Sequence, residues 1–351
     1  MTREWTRRWR LIGRRCSIAE HREFISWAEK FGALGPRVGI PPKCGSLIGA
    51  YEAELKNYFR LTVLARSSSA DPELASRAHE LLFRVRTLLE GAIQQAITEA
   101  PVNPESRLDA LFNGNFFGFS KKQGTSLRLP LRTCTPTKLC AGGCYAHDVL
   151  DATPAAVVRG SINGWIADRY ERGDEGARAQ YLSRLRPHVK RAIKNARSEL
   201  KNLADGFTRR AFIRFSHVGE IVHTPGFAND LASVVRDLSG GDVDCVVYTR
   251  HKRAVELDPS LWIVNFTLDP DSENRKAWVP INARIVYSAF GGKTSPAAEV
   301  NFLEHHRHGH SPQVGDGRAC PATLPHALSR TCDGNQCNRC FVPKAGHQPA
   351  E

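Results

Sequence analysis

Residues 211–249 read AFIRFSHVGEIVHTPGFANDLASVVRDLSGGDVDCVVYT. The run AFIRFS at 211–216 is short, apolar and rich in residues that favour strands, and DCVVYT at 244–249 has the same character. Between them, FANDLASVVRDL at 227–238 has apolar residues at the three-to-four-residue spacing of a helix. A strand, a helix and a strand in this order predict a βαβ unit and a parallel sheet.

Two further strand-like runs follow this unit, LWIVNFTL at 261–268 and ARIVYSAF at 283–290. Together they predict an α/β domain with a parallel βα arrangement like part of a TIM barrel. In such sheets, ligands bind at the carboxyl ends of the strands. We therefore look for function first at Gly219 and Glu220, after the first strand, and at Arg250, after the second.

The rest of the chain is arranged around this domain. Residues 1–105 have a basic, helical pattern, with helices expected to begin near Ser46 and at Asp71-Pro72. Residues 101–125 carry prolines and glycines and are predicted to form a loop. The α/β domain is assigned to residues 106–310, and a cysteine-rich tail follows at 311–351. Inside the domain, helices are expected from Thr153-Pro154 and over 188–204.

The chain is strongly basic, because 49 Lys and Arg residues outnumber 36 Asp and Glu residues and leave a net charge of +13. Such a charge favours a polyanionic partner, most often nucleic acid. The helix predicted over 188–204 adds a stripe of the kind that tracks phosphates, although a solvated helix face is the alternative. The stripe consists of Lys190, Lys194, Arg197 and Lys201.

The sequence predicts no membrane segment and no secretion signal. No apolar run approaches about eighteen residues. The N-terminal MTREWTRRWRLIGRR is basic and lacks the apolar stretch of a signal peptide. We therefore expect a cytoplasmic protein without a membrane partner, and leave its oligomeric state open.

Ten cysteines in a cytoplasmic chain indicate metal binding, since that compartment keeps thiols reduced. Cys134, Cys140 and Cys144 form a short loop (134–144) with spacing C-x5-C-x3-C. Three cysteines on a [4Fe–4S] cluster leave one position for another ligand. This resembles, in logic but not in spacing, the C-x3-C-x2-C loop of radical S-adenosylmethionine (SAM) enzymes, where SAM takes that position. The alternative is a zinc site completed by His147 or a distant residue.

A second cysteine group lies in the tail. Four cysteines complete a tetrahedral site, and the stretch around them is rich in turn-forming residues and poor in core residues. We expect structural zinc there, with a second iron–sulfur cluster as the alternative, and the two groups can also share one centre. The predicted ligands are Cys320, Cys332, Cys337 and Cys340.

Two residues at the strand ends are candidates for contacts with SAM. Glu220, in the Gly219-Glu220 pair, is placed to hold the amino group of an amino-acid-like cofactor, and Arg250 to hold its carboxylate. The alternatives are a solvated turn for the first and a structural ion pair for the second.

A family resemblance is carried by the order of four segments. These are LRLPLRTCTPTKLCAGGCYA, IRFSHVGEIV, VVYTRHKRA and the C-terminal cysteine pattern. In order and spacing they resemble the phage "gene product 88" family of mycobacteriophages and other mobile elements, over about residues 110–341. Members often have Asp-Ser-Gly-Asp where this chain has residues 217–220, and Trp where it has Phe341. The resemblance implies a mobile element in a bacterial host cell and implies no particular reaction.

The combined prediction is an iron–sulfur, radical-SAM-like enzyme that acts on nucleic acid. Two alternatives belong to other classes. One is a zinc-stapled, non-catalytic nucleic-acid-binding protein, and the other is a redox-sensing regulator that uses a cluster without SAM.

Overall fold

The computed structural model describes residues 18–34, 51–65, 72–100, 103–120, 124–142, 144–147, 153–200, 210–289 and 295–303. Some sequence predictions fall outside these ranges. They are the helix start near Ser46, Lys201 of the basic stripe, and the tail 311–351 with Cys320, Cys332, Cys337 and Cys340.

The chain divides into two compact units. Unit 1 comprises Met1–Asn113, Pro130–Arg132 and Ala141–Trp165, and unit 2 comprises Gly114–Leu129, Thr133–Cys140 and Ile166–Glu351. Both units draw on separated stretches of the chain. Residues 130–132 belong to unit 1, where they are hydrogen-bonded to the helix Pro72–Glu99. For example, Leu131 N donates to the Glu90 carboxylate at 2.6 Å.

The described N-terminal residues of unit 1 are helical, as predicted. Helix α3 (Pro72–Glu99) has Leu82, Val85, Leu89 and Ile93 at helical spacing, and all four are fully buried. Burial of four such side chains contributes about 6–12 kcal/mol before the entropy cost of folding. Both α1 (Ile18–Leu34) and α2 (Glu52–Leu64) pack against α3. The helices are α1 (Ile18–Leu34), α2 (Glu52–Leu64), α3 (Pro72–Glu99) and α4 (Pro104–Phe112).

Unit 2 contains a seven-stranded, mostly parallel sheet, which confirms the α/β class. Its seven strands lie in chain order. The last six run parallel to one another, and the first is antiparallel to the second. All the parallel strands therefore end at one edge. The strands are β1 (Phe117–Ser120), β2 (Gly124–Arg128), β3 (Ala211–Val218), β4 (Val243–Thr249), β5 (Trp262–Leu268), β6 (Arg284–Ala289) and β7 (Val300–Leu303).

The remaining helices are α5 (Lys138–Gly142), α6 (Pro154–Arg172), α7 (Glu175–Leu200) and α8 (Pro225–Ser239). The α6 cap is as predicted, since Thr153 Oγ1 accepts a hydrogen bond from Ala156 N at 3.3 Å. The quoted βαβ unit is also confirmed, with α8 beginning at a proline and ending at Gly240 in the left-handed conformation.

The core of unit 2 lies on both faces of the sheet. Both α7 and α8 contact the sheet, and on the α8 side Trp262 packs edge-on against Phe215 and donates to Asn229 of α8. A second cluster, on the side chains that alternate with these, consists of Phe212, Val246, Val286 and Val300.

Two sequence predictions differ from the structure. Residues 101–125 were expected to form a loop, but α4, β1 and the start of β2 lie there. The prolines and glycines misled the prediction, because Pro104 stands at the first turn of α4, capped by Asn103, whose side chain accepts from Ser106 N at 2.8 Å. Helix α7 begins at Glu175 rather than at 188 and continues through Pro187. No helix among the described residues has the length and apolarity needed to cross a membrane.

Candidate functional site

Polar residues collect where the parallel strands of unit 2 end. Gly219 and Glu220 follow β3, Arg250 follows β4, Asp269 follows β5, and Ser288 lies near the end of β6. The segment Thr133–Cys140, which carries two of the loop cysteines, contacts these same residues. We call it the anchored segment.

Gly219 is required by the backbone at the end of β3. Its φ is +74°, a conformation that side chains with a Cβ rarely adopt. A Cβ at this position would also lie 2.7 Å from the backbone carbon and oxygen of Leu129. Two chain segments therefore pack so closely here that only glycine fits. This requirement explains Gly219 without any bound ligand.

Glu220 is buried and joins the end of β3 to the anchored segment. Its backbone N–H donates to Thr133 Oγ1 at 2.8 Å, and its carboxylate accepts from the N–H of Thr135. Glu220 Oε2 also accepts from Thr249 Oγ1 at 2.5 Å and from Arg250 N at 3.4 Å. Burial raises the pKa of Glu220, and these hydrogen bonds and the charge of Arg250 offset only part of that rise. Glu220 thus holds the residues on both sides of Cys134.

Aspartates after β5 hold the other half of the anchored segment. Asp269 is fully buried, and its Oδ2 accepts from Thr137 Oγ1 at 2.6 Å. Thr137 Oγ1 in turn accepts from Cys140 N at 3.0 Å, and Asp271 Oδ2 accepts from Leu139 N at 3.2 Å. The position of Cys140 is therefore determined by carboxylates about 130 residues away in sequence, as the separation of 132 between Thr137 and Asp269 shows.

Arg250 is the point where the strand ends and the anchored segment meet. Its Nη1 donates to Cys140 Sγ at 3.3 Å, and its Nη2 lies 3.3 Å from Ser288 Oγ and 3.4 Å from Asp269 Oδ2. Burial alone would lower the pKa of Arg250, but Cys140, Asp269, Glu220 and Cys134 together raise it. Both cysteines therefore lie within electrostatic reach of one guanidinium.

Two polar atoms at this site are buried and have no hydrogen-bond partner among the described residues. They are Arg250 Nε and Thr135 Oγ1. An orphaned buried donor costs about 1–3 kcal/mol. Each atom belongs to a residue that contacts or adjoins a loop cysteine.

The three loop cysteines are partly exposed thiols outside any disulfide. Cys134 and Cys140 belong to unit 2 and Cys144 belongs to unit 1. Across the described part of the chain, no three or more His, Cys, Asp or Glu side chains are grouped so as to hold a metal ion. The structure thus brings Cys134 and Cys140 to Arg250 and does not add a preformed set of metal ligands.

Unit 1 contains a buried polar network around His147, the residue considered as a zinc ligand. His147 is fully buried, and its Nδ1 lies 2.9 Å from Tyr58 Oη, which also accepts from Arg86 Nη1 at 3.3 Å. Arg86 and Glu90 form a fully buried ion pair with an Nε–Oε1 distance of 2.5 Å. The pKa of Arg86 is raised, because attraction to Glu90 and Tyr58 outweighs the effect of burial. This network was not predicted from the sequence.

The basic stripe lies on the exposed side of α7, with Lys190, Lys194 and Arg197 facing solvent. Arg197 forms a bidentate pair with Asp242 at 3.0 and 2.8 Å. One of its three described charges is therefore already balanced within the protein.

The residues predicted from the sequence did not include Asp269, Asp271 or Thr137. The first two lie in LDPDS, a polar turn directly after the strand predicted at 261–268. The rule that selected Glu220 and Arg250, polar residues at the carboxyl ends of strands, also selects these aspartates when it is applied to every strand.

The comparisons with known proteins identify no relative. No protein-family model, no curated protein and no solved structure matches the chain. The functional argument therefore rests on the residues of this chain.

Proposed function

We propose that this chain is an iron–sulfur protein that binds its cluster through Cys134, Cys140 and Cys144 and performs radical-SAM-like chemistry. The observation that carries the proposal is the approach of Cys134 and Cys140 to Arg250, whose side chain is 12% exposed, at the carboxyl edge of a parallel sheet. This is the edge where α/β sheets bind their ligands.

The donor chemistry fits such a cluster. Cysteine thiolates are the usual ligands of iron–sulfur clusters, and Arg250 supplies positive charge beside two of them. The orphaned donors Arg250 Nε and Thr135 Oγ1 suit the sulfur acceptors that a cluster would bring. A reduced cluster held by these cysteines would supply the electron for reductive cleavage of SAM.

The residues of this chain would contribute position and charge. Glu220 and Asp269 hold the anchored segment, and Arg250 neutralises negative charge on Cys140. In this proposal Glu220 is a positioning residue, because its carboxylate already accepts from Thr249, Arg250 and Thr135. The proposal also includes a sheet arranged like part of a TIM barrel. It further includes an origin in the phage family that the sequence resembles, and the bacterial cytoplasm as the compartment.

Metal analysis of protein purified without oxygen tests the proposal. We expect brown protein with iron and acid-labile sulfide, and loss of most of both when Cys134, Cys140 and Cys144 are replaced by Ala. Cys245→Ala is the control, since this buried thiol lies in β4 away from the loop. The reduced protein should convert SAM to 5′-deoxyadenosine. Colourless protein that contains only zinc would favour the zinc-stapled alternative, and a cluster without SAM cleavage would favour the redox regulator.

Nucleic acid remains the proposed partner, supported by the net charge of +13 and by exposed Lys190 and Lys194. Each phosphate contact adds about −0.9 to the slope of log K against log salt. Replacing both lysines by Gln should therefore reduce the slope by about 1.8. Arg236→Gln, on α8, is the matched control for loss of positive charge. An unchanged slope in the double variant would show that the stripe is a solvated face.

A further inference from the structure

We propose that single-stranded nucleic acid binds along the exposed face of α7, with a base stacked on the ring of Phe119. The inference rests on the nucleic-acid partner of the proposed function, and it names the form of nucleic acid and an aromatic residue that recognises it. It does not involve the loop cysteines.

The first argument is the unbalanced positive charge of the exposed face of α7. No Asp or Glu occurs between Glu175 and Glu199, so this part of the helix has no negative charge of its own. Residues 186, 190 and 194 follow one another at about 6 Å along the helix axis. A row of unbalanced positive charges attracts a phosphate backbone. The exposed residues of this face that form no ion pair within the described part of the chain are Arg186, Lys190, Arg191 and Lys194.

The second argument is the position of Phe119 beside this helix. Just before β1, Asn115 accepts a hydrogen bond from Arg191 of α7 at 2.6 Å. Near the other end of the strand, Phe119 pairs in register with Thr125, and the Thr125 hydroxyl donates to Glu199 of α7 at 2.6 Å. Directly opposed residues of an antiparallel pair have their side chains on the same face. Phe119 therefore lies on the side of the sheet that α7 covers, near the last turn of the helix.

The third argument is the exposure of the Phe119 ring. On the same side of β1, Phe117 is buried and packs edge-on against Phe215. Two residues further along, Phe119 is 57% exposed and lies outside this core. A single exposed apolar side chain is common on protein surfaces. The significance of Phe119 comes from the unbalanced positive face beside it, because the two together provide for both parts of a nucleotide chain.

This combination favours a single strand over a duplex. Proteins that bind single strands combine positive charge along the backbone with aromatic rings on which bases stack. In a duplex the bases are paired and stacked on one another, so a ring on a protein surface does not reach a base face. A duplex would use the charge of this surface and leave Phe119 without a role.

The experiment measures binding to full-length protein by fluorescence anisotropy over a range of salt concentrations. The probes are a labelled thymidylate single strand and a labelled duplex of the same length. We expect tighter binding of the single strand, and we expect Phe119→Ala to weaken that binding about 5- to 150-fold. The slope of log K against log salt should stay at its wild-type value, because this change removes no charge.

Two further variants separate stacking from apolar contact. Phe119→Trp keeps an aromatic ring and should retain the binding, whereas Phe119→Leu keeps apolar bulk without the ring and should weaken it like Ala. The Leu variant also serves if Phe119→Ala alters the thermal melt. Val255→Ala is the matched control, because Val255 is 61% exposed but lies in the turn Lys252–Glu256, after β4.

The contrary outcomes separate this inference from the proposed function. Wild-type affinity for the single strand in Phe119→Ala and Phe119→Leu, or an equal loss of affinity for single strand and duplex, would reject base stacking. The nucleic-acid partner would still stand if replacing Lys190 and Lys194 by Gln reduces the salt slope. Wild-type protein that binds neither probe would reject the nucleic-acid partner together with the inference.

Discussion

Replacing Glu220 by Ala should release the anchored segment from the end of β3. The change removes the acceptor for Thr249 Oγ1 at 2.5 Å and for the N–H groups of Thr135 and Arg250. A hydrogen bond to a charged group is worth about 1.5–3 kcal/mol, and its loss leaves buried donors unsatisfied. The burial that raises the pKa of Glu220 is relieved at the same time, which offsets part of the loss. We expect a net local destabilisation of about 2–4 kcal/mol.

Hydrogen exchange measures this change at the affected groups. The N–H groups of Thr135 and Arg250 donate to Glu220, so their protection reports directly on this contact. A loss of 2 kcal/mol corresponds to exchange about 30-fold faster. Glu220→Gln keeps one oxygen acceptor and should show a smaller effect. Glu256→Ala is the control, because Glu256 is 45% exposed and pairs with Arg253 away from the anchored segment.

The same variant separates two roles for Glu220. If it positions the anchored segment, Glu220→Ala should lose protection at Thr135 and bind less iron. If it contacts SAM, as the sequence alone suggested, the variant should keep both and lose only SAM cleavage. Unchanged exchange with an intact cluster would therefore refute the positioning argument.

Three further predictions concern stability. Gly219→Ala should lower the free energy of unfolding by more than about 2 kcal/mol in urea titrations. Gly240 also has a positive φ, but a Cβ there would have nothing within 4 Å, so Gly240→Ala should lower this free energy by only about 1 kcal/mol. Equal losses in the two variants would contradict the close approach to Leu129. Glu90→Ala should cost about 3–5 kcal/mol because it leaves Arg86 charged and buried, while Glu52→Ala at the exposed pair with Lys56 should cost less than about 1 kcal/mol. Asp244, 12% exposed, has its pKa raised by burial from 3.8 to about 6. The folded state keeps this proton longer, so stability should fall by up to about 3 kcal/mol as the pH rises from about 4 to about 6. Thermal melts of Asp244→Asn should lack that decline, and an identical pH profile would contradict it.

Local patterns predicted much of unit 2 correctly. The strands at 211, 244, 261 and 283 and the helix between the first two lie within about two residues of their expected bounds. These segments carry their own periodicity and turn residues, so a short window of sequence is enough to identify them. The loop predicted for residues 101–125 was wrong, because proline and glycine residues such as Pro104 occur in capped helices and hairpins as well as in loops.

For the candidate site, the sequence identified most of the residues but not their contacts. Cys134, Cys140, Gly219, Glu220 and Arg250 were selected from the sequence, and the structure places all five at the carboxyl edge of the sheet or in the segment anchored to it. The contacts that define the roles of these residues could not be read from the sequence. A sequence shows that a glutamate follows a strand, but not that its carboxylate is already bonded to Thr249.

The sequence alone therefore determined the class of fold in unit 2, the helical character of the N-terminal region and the list of chemically capable residues, because each depends on neighbours in the chain. Only the tertiary structure decided which of them meet. Thr137 and Asp269 are 132 residues apart, Cys140 and Arg250 are 110 apart, and Tyr58 and His147 are 89 apart. Such contacts are formed when helices and strands pack against one another and bring together residues that are distant in sequence, and no local pattern records them.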